Sequence, residues 1–278
     1  MLRKLINNYL TELKLSGKSK YTVINYQKHL EKFATWSENN GIAFLQIDGK
    51  ESKRFRNYLV EQELSPKTVN TIVCAVKSFY DFLVEEGFII GNPWLTKRLR
   101  VTEEKRTPNF LTEAEEKRVL SAIEKFPYHV SLALKTMLAA GLRVSEVANL
   151  KPDDVIIHQG KILVWIQQGK GKKDSYAPIT NAFVANELIE FAKGKEGNKL
   201  FGITDGTLKV YAHIVKKKTG IDFHTHRCRH TLATRLLAKG TPIDVVQDVL
   251  GHVDISTTRK YAATLPEKIM ALAADVGN

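Results

Sequence analysis

Apolar residues recur with the spacing of an α-helix over most of residues 1–97. The first apolar stripe consists of Leu2, Leu5, Ile6, Tyr9, Leu10 and Leu13. Three further stripes follow, and Ser19 and Ser65 precede the first and the last of these three as helix N-caps. Ser65 is followed by Pro66, a residue type favoured at the first position of a helix. The pattern therefore predicts four helices that form one compact domain.

A charged stretch without apolar periodicity follows these helices. It begins after Asn92-Pro93, runs over residues 95–109 and contains the helix-breaking Pro108. Such a composition is typical of a segment between domains. We therefore expect a helical domain at residues 1–97, an interdomain linker at residues 98–110 and a second domain at residues 111–278.

The second domain begins with a capping-box sequence, from Thr112 to Glu115, which predicts the start of a helix. A largely apolar helix is expected over residues 129–140, and Gly141 is its expected stop. Ser145 is the expected N-cap of the helix after it. These signals predict a buried helix that is followed directly by a second, capped one.

Between residues 155 and 179 the hydrophobic period changes from that of a helix to that of a strand. A strand buried on both faces is indicated by the alternation of Ile162, Val164 and Ile166 with Leu163 and Trp165. Turn sequences flank this strand at residues 158–161 and 169–174. Because helical patterns return afterwards, the predicted fold class is mainly α with a small antiparallel β-sheet.

Charge and cysteine content narrow the class of protein. The 278 residues include 42 Lys or Arg and 30 Asp or Glu, which gives a net charge of +12. This excess favours a polyanionic partner, nucleic acid before a membrane, over a merely basic protein. The first ten residues, MLRKLINNYL, are more polar than a signal peptide, and no apolar run is long enough for a bilayer-spanning helix, so we expect neither. With only Cys74 and Cys228, we expect reduced thiols and a cytoplasmic location.

Six side chains of the second domain suit phosphoryl transfer: Arg143, Lys170, His226, Arg229, His252 and Tyr261. Two arginines bind a phosphodiester and its pentavalent transition state through forked, charge-assisted hydrogen bonds. Tyrosine becomes a nucleophile when a base or a cationic field acts on its hydroxyl, whose pKa is about 10. His226 is the candidate base, Lys170 the candidate acid and His252 a hydrogen-bond donor to the phosphate. No carboxylate cluster suited to two magnesium ions is visible in the sequence, which favours covalent, metal-free transfer.

Four segments resemble the active-site blocks of the tyrosine recombinase and phage integrase family, in the usual order of that family. They are AAGLRVSEVANL, QGKGKKD, HRCRHTLATRLL and LGHVDISTTRKY. By this resemblance Arg143 and Arg229 are the two arginines, Lys170 is the lysine of a β-hairpin, and Tyr261 is the nucleophile. His226 and His252 match the two histidines of the family. In length and in its helical N-terminal region the chain resembles the Xer branch, archaeal members included.

The resemblance implies a helical SAM-like core-binding domain and an α+β catalytic domain, which surround duplex DNA as a C-shaped clamp. It implies that Tyr261 forms a 3′-phosphotyrosyl link without ATP, metal or another cofactor. A homodimer on each recombination site and a synaptic tetramer are the expected assemblies, with the DNA passing through a Holliday junction. The expected role is chromosome-dimer resolution. Mobile-element integration, DNA relaxation of the type IB topoisomerase kind and catalytically silent DNA binding are the alternatives.

Several neighbouring residues leave alternatives open. Lys172 competes with Lys170 for the role of the lysine, and Arg227 either contacts a phosphate or points to solvent. Glu146 is expected to orient Arg143, and His230 to make a structural hydrogen bond. The helix expected after Pro266 packs either on its own subunit or on a neighbouring one.

A metal site is a competing interpretation of part of this stretch. His224, His226, Cys228 and His230 have the side chains of metal ligands at short spacing. A helix would place Cys228 away from the face shared by His226 and His230, and the charge of Arg229 would repel a cation. The helical spacing therefore weighs against the metal site.

Overall fold

The computed structural model describes residues 1–103, 109–167 and 174–250, and the chain divides into two compact units, Met1–Lys105 and Arg106–Asn278. Within the described ranges the structure is helical apart from one three-stranded antiparallel sheet, which confirms the predicted fold class. None of the helices in these ranges combines the length and the apolar character needed to cross a bilayer. The stretches that include Lys170, His252, Tyr261 and the helix predicted after Pro266 lie outside the described residues.

The described part of the first unit contains four α-helices: α1 (Leu2–Leu15), α2 (Lys20–Asn39), α3 (Gly49–Glu61) and α4 (Pro66–Glu85). The hydroxyl of Ser19 accepts a hydrogen bond from the backbone N–H of Thr22, and Ser65 accepts from Thr68 in the same way. Both predicted N-caps are thereby confirmed. All six residues of the predicted α1 stripe are buried, and α1 packs on α2 and α4.

Aromatic rings fill the core of the first unit. The ring of Phe33 meets those of Phe55, Tyr80 and Trp94 edge-on, with centroid separations of 5.3, 5.9 and 5.7 Å. Edge-to-face contact of this kind is the favoured geometry for aromatic pairs. The four helices are therefore joined by interlocking apolar side chains.

Packing on this core continues past residue 97, into the stretch predicted as a linker. Leu99 is buried in the same cluster, and Val101 packs against it. The side-chain amide of Asn70 donates to the backbone oxygen of Val101, and its oxygen accepts from the Val101 N–H. The charged composition of this stretch conceals these two apolar contacts.

In the described part of the second unit the helices are α5 (Glu113–Ile123), α6 (Tyr128–Ala140), α7 (Val144–Asn149), α8 (Ala182–Ala192), α9 (Asp205–Thr219), α10 (Thr225–Ala238) and α11 (Ile243–Leu250). Thr112 and Glu115 form the predicted capping box at the start of α5. Helix α6 is buried along most of its length and ends at Gly141, whose φ of 64° lies in the left-handed region that favours glycine. The predicted buried helix and its glycine stop are confirmed.

The prediction that Ser145 caps α7 was wrong. Arg143 occupies the N-cap position, and Ser145 lies inside the first turn. The carboxylate of Glu146 accepts from the backbone N–H of Arg143 at 2.6 Å, which stabilises the start of the helix without a capping hydroxyl.

The sheet consists of β1 (Val155–His158), β2 (Lys161–Ile166) and β3 (Ser175–Pro178) in the order β1-β2-β3. Val164 pairs with Val155 on one side and with Ala177 on the other, and all three side chains are buried. Helix α8 packs on β1 and β2, and α11 packs on β3. Leu163 and Trp165, on the opposite face, are only partly buried. The expectation of a strand buried on both faces was therefore wrong, because helices cover one face more completely than the other.

Candidate active site

Arg143 lies in the short turn between α6 and α7. Its Nη1 donates to one carboxylate oxygen of Glu146 at 2.5 Å, while the other oxygen accepts from the Arg143 backbone N–H. The side chain of Arg143 is 35% exposed. The expectation that Glu146 orients Arg143 is confirmed, and the guanidinium remains accessible from solvent.

Arg229 lies in the second turn of α10 and is only 5% exposed. Its Nη1 donates to the backbone oxygen of Gly141 at 3.1 Å, and its Nη2 donates to the backbone oxygen of Leu250. Gly141 lies two residues before Arg143, and Leu250 lies two residues before His252. One guanidinium thus joins the turn that bears Arg143 to the end of α11.

Gly141 is needed for this junction on two grounds. Its φ of 64° favours glycine, and a Cβ at this position would lie 2.8 Å from Cδ2 of Leu232 and 3.1 Å from Cδ2 of Leu250. The turn, α10 and α11 therefore approach one another closely only because residue 141 has no side chain.

His226 lies in the first turn of α10, three residues before Arg229, with an exposed side chain. Partial desolvation, followed by the positive charges of Arg229, Arg143 and Lys209, lowers the pKa of His226 below its usual 6.5. The imidazole is therefore mainly neutral at pH 7 and able to accept a proton. The charges of both arginines therefore favour the neutral form of His226.

The hairpin on which Lys170 was predicted begins beside α7. A groove of about 290 Å³ is lined by Ser145 and Glu146 of α7 and by Ile166 and Gln167 at the end of β2. The predicted hairpin of β2 and β3 is confirmed up to Ile166, which pairs with Ser175. The assignments of Lys170 and its competitor Lys172 remain predictions.

Arg227 is buried and paired with a carboxylate, so the interpretation that it points to solvent was wrong, and its guanidinium is not exposed for contact with a phosphate. It is 3% exposed, and its Nη2 lies 3.0 Å from each carboxylate oxygen of Glu115. It also donates to the backbone oxygens of Phe110 and Asp222. A buried arginine paired in this way holds neighbouring parts of the fold together.

The four side chains of the alternative metal site do not converge. Cys228 is fully buried, and burial raises the pKa of its thiol to about 12, whereas His224 and His226 are exposed. Burial lowers the pKa of His230 to about 4. Within the described residues, no group of three or more His, Cys, Asp or Glu side chains has the arrangement of a metal site.

Two features of this region escaped prediction from the sequence. Gly141 was interpreted only as a helix stop, although it also permits the close approach of α10. Lys209, on α9, acts on the charge of His226, yet in the sequence it is one of many lysines on a helix surface. A groove of about 270 Å³ extends from Lys209 past His213 and His224, so cationic and imidazole side chains continue along the surface.

Comparison with known proteins agrees with this arrangement. Residues 109–268 match the phage integrase family, and residues 6–87 match the phage integrase N-terminal SAM-like domain. Tyrosine recombinase XerA of Thermococcus kodakarensis is 29% identical over 96% of this chain and 93% of its own length. Tyrosine recombinase XerC of Bacillus subtilis is 31% identical over 90% and 88%, respectively.

Solved structures show the same fold. A lambda integrase dimer bound to a COC′ core site superposes with a TM-score of 0.75 at 20% identity, covering 94% of each chain. The crystal structure of XerA recombinase gives a TM-score of 0.52 at 23% identity, covering 99% of each chain. Because the family profile spans more than half of the sequence, in agreement with the resemblance of the four segments, this chain belongs to the phage integrase family of tyrosine recombinases.

Proposed function

We propose that this chain is a site-specific DNA recombinase of the Xer type, which cuts and rejoins DNA through a phosphotyrosyl intermediate and resolves chromosome dimers. The observation that best supports the site is the double contact of Arg229. Its guanidinium hydrogen-bonds to Gly141, beside Arg143, and to Leu250, beside His252. Three distant chain segments on which the family has catalytic residues are thus joined by one side chain.

The proposed cleavage step is a transesterification. The oxygen of Tyr261 attacks the phosphorus, and neutral His226 accepts the tyrosine proton as the new P–O bond forms. The bond between phosphorus and the 5′ oxygen breaks, and the Lys170 ammonium donates a proton to that oxygen. The products are a 3′-phosphotyrosyl link and a free 5′-hydroxyl. A 5′-hydroxyl from the partner duplex then reverses the step and rejoins the strands.

Arg143, Arg229 and His252 stabilise the charge that develops on the nonbridging oxygens in this proposal. The low pKa of His226 supports its role as base, since a protonated imidazole accepts no proton. Each step replaces one phosphoester bond by another, so the number of phosphoester bonds is unchanged. The reaction therefore needs neither ATP hydrolysis nor a metal-activated water.

The proposed partner is duplex DNA, which the net charge of +12 favours. We propose a homodimer on each recombination site and a synaptic tetramer, as in the lambda integrase dimer on a core site and the lambda integrase tetramer on a Holliday junction. Residues 1–97 are the proposed core-binding domain, residues 98–110 the linker and residues 111–278 the catalytic domain. Action on chromosomal DNA would place the protein in the cytoplasm, with the nucleoid.

A suicide-substrate assay tests the proposed chemistry. Fragments of chromosomal DNA from the host that bind the protein are selected first. A nick is then placed near the cleavage position, so that the short strand released by cleavage diffuses away and cannot rejoin. We expect the wild type to form a covalent protein–DNA adduct that survives denaturant, and Tyr261→Phe to form none. An adduct that persists in Tyr261→Phe would contradict the assignment of the nucleophile.

Substitution of the arginines separates catalysis from binding. We expect Arg143→Ala and Arg229→Ala to slow cleavage on the order of 10²–10³-fold, because their contacts strengthen in the transition state. DNA affinity should change far less.

A plasmid with two copies of the selected site distinguishes the candidate functions. Deletion of the intervening DNA supports a recombinase, and relaxation without recombinants supports a topoisomerase.

A further inference from the structure

Three polar side chains form a stripe along α10: Arg227, Thr231 and Arg235, which we term the α10 polar stripe. They are spaced four residues apart, so they lie one above another on a single face of the helix. Each contacts residues 110–116, which contain the start of α5. The stripe is independent of the family's active-site residues, since none of its three members is among them.

Arg227 makes the largest set of contacts. Its Nη2 donates to both carboxylate oxygens of Glu115, at 3.0 Å each, and to the backbone oxygen of Phe110 at 2.9 Å. Its Nη1 donates to the backbone oxygen of Asp222 at 3.1 Å. Glu115 is itself fixed by the capping box with Thr112. The first turn of α10 is therefore bound to a part of α5 that is already held in place.

The other two members extend the contact along the helix. The Thr231 hydroxyl accepts from the buried backbone N–H of Leu111 at 2.9 Å and donates to the backbone oxygen of Arg227 at 2.8 Å. Arg235 pairs with Glu116, with Nη1 to Oε1 at 3.0 Å. The contacts therefore cover about two turns of α10, and two of the three are ion pairs.

The predicted catalytic residues lie on other faces of the same helix. Successive residues of an α-helix are separated by about 100° around its axis, so Arg229 points about 160° away from Arg227 and His226 about 100° away. Any rotation or axial shift of α10 therefore moves both of these side chains relative to Arg143, which belongs to a different element.

Directional bonds oppose such movements better than apolar contacts do. Burying a guanidinium and a carboxylate costs desolvation energy, which their attraction offsets only when the geometry is good. Apolar packing is non-directional and tolerates small shifts. The α10 polar stripe therefore restrains the position of α10 more than it adds to the stability of the fold.

We infer that the α10 polar stripe fixes the rotation and axial position of α10, and that Arg227 and Thr231 are positioning residues for His226 and Arg229. This inference rests on the proposed phosphoryl transfer, in which those two side chains act. Neither Arg227 nor Thr231 is expected to touch DNA. Their effect is exerted on the placement of the reacting groups.

Single-turnover cleavage of the suicide substrate at saturating DNA tests the inference. We expect Thr231→Val and Arg227→Lys to lower the rate constant on the order of 10–100-fold, because small misplacements of reacting groups have effects of this size. The dissociation constant for DNA should stay within about threefold of the wild type, because affinity rests mainly on phosphate contacts elsewhere. Thr231→Ser, which keeps the hydroxyl, should retain nearly the wild-type rate.

Two further variants serve as controls. Arg118 is an exposed arginine of α5 whose Nη2 donates to the backbone oxygen of Thr219, at the end of α9, so Arg118→Met should cleave at the wild-type rate. Arg235→Met should have a smaller effect than Arg227→Lys. Arg235 lies about 12 Å along the axis from Arg227, and its side chain is 37% exposed.

The rate constant and the amplitude of the reaction separate positioning from loss of fold. A variant that only unfolds lowers the amplitude of adduct formation, whereas a misplaced helix lowers the rate constant of the folded fraction. If the wild type forms the adduct, and Thr231→Val and Arg227→Lys form it with the same rate constant as the wild type, the inference is overturned. The proposed function is then left intact. A wild type that forms no adduct on the selected DNA would instead overturn the proposed function.

If Arg227→Lys gives too little folded protein to measure, Glu115→Gln replaces it. Glutamine retains the capping box and loses the charge opposite Arg227. A reduced rate constant in Glu115→Gln, with its amplitude unchanged, supports the inference, and an unchanged rate constant in both Glu115→Gln and Thr231→Val contradicts it.

Discussion

The two units of the protein are stabilised by different kinds of interaction. In the first, rings such as Phe33, Phe55 and Trp94 pack edge-on in an apolar core. In the second unit the core is largely aliphatic. Among the described residues this unit also contains all the buried charged side chains, which are Asp154, Arg227 and Arg229. The buried charged side chains of the described residues thus lie in the same unit as the predicted catalytic residues.

This difference shows what each core is suited to do. Apolar burial stabilises a fold without specifying exact positions, whereas a buried arginine is stable only when its partners lie at hydrogen-bond distance. The first unit needs to remain folded and to present a surface. The second must hold side chains from distant segments at fixed separations, and its buried guanidinium groups serve that requirement.

The largest expected effect is on the stability of the aromatic core. Phe33→Ala removes a ring that is fully buried and contacts four others, and it should lower the free energy of unfolding of the first unit by about 3–5 kcal/mol. Denaturant unfolding followed by tryptophan fluorescence measures this change. A Trp165→Phe background restricts the signal to Trp36 and Trp94, both in the first unit.

Tyr21, on the same helix as Phe33, provides the matched control for this prediction. It is 74% exposed, so Tyr21→Ala should change the free energy of unfolding of the first unit by less than about 0.5 kcal/mol. A loss in Phe33→Ala no larger than that in Tyr21→Ala would mean that the aromatic contacts do not hold the first unit together.

A glycine pair tests the junction in the second unit. Gly141→Ala and Gly220→Ala both place a side chain at positive φ, which costs about 1–2 kcal/mol. Only at Gly141 does the added Cβ also meet Leu232 and Leu250, so we expect a further loss of about 1–3 kcal/mol there. Thermal or denaturant unfolding measures both variants.

Cleavage should separate the two glycine variants further. Gly141→Ala displaces the turn before Arg143 and should slow adduct formation, while Gly220→Ala, which has no neighbouring atom within 4 Å of the added Cβ, should not. Equal losses of stability and equal cleavage rates in the two variants would show that the close approach at Gly141 is unimportant.

The smallest effect concerns the pH dependence of cleavage. Because the folded pKa of His226 lies below 6.5, the rate should be constant near pH 7 and fall as pH drops through that lowered pKa. Lys209→Met removes one of the positive charges that lower the pKa of His226. The pKa of His226 should therefore rise, and the acid limb should move to higher pH by less than about one unit.

The pH–rate profile of single-turnover cleavage measures this shift, and Lys193→Met is the control. Lys193 is a similarly exposed lysine that pairs with Glu190, and it does not act on His226. An acid limb that stays in place in Lys209→Met, or moves to lower pH, would contradict the electrostatic role of Lys209.

Local chemistry was predictable from the sequence wherever it involves near neighbours. The caps at Ser19 and Thr112, the glycine stop at Gly141 and the pairing of Glu146 with Arg143 depend on residues within three positions of one another. The cap of α7 was misassigned because a hydroxyl at Ser145 is a stronger statistical signal than a carboxylate that reaches back to Arg143.

Long-range partners were not predictable in this way. Arg227 contacts Glu115, 112 residues away, and nothing in the local pattern of α10 indicates which of its faces meets another helix. For the same reason the uneven burial of Leu163 and Trp165 depends on where α8 lies. The identities of the active-site residues came from motif resemblance, and the assignments of Lys170, His252 and Tyr261 remain predictions.

The contact between Arg229 and Gly141 has a consequence for the newly synthesised chain. The two residues are separated by 88 positions, so the turn that bears Arg143 acquires this partner only after most of the chain has left the ribosome. Contacts of such sequence separation form late in folding, after local helices. An incomplete chain would therefore lack an assembled cleavage site, which keeps an enzyme that breaks DNA inactive until its fold is complete.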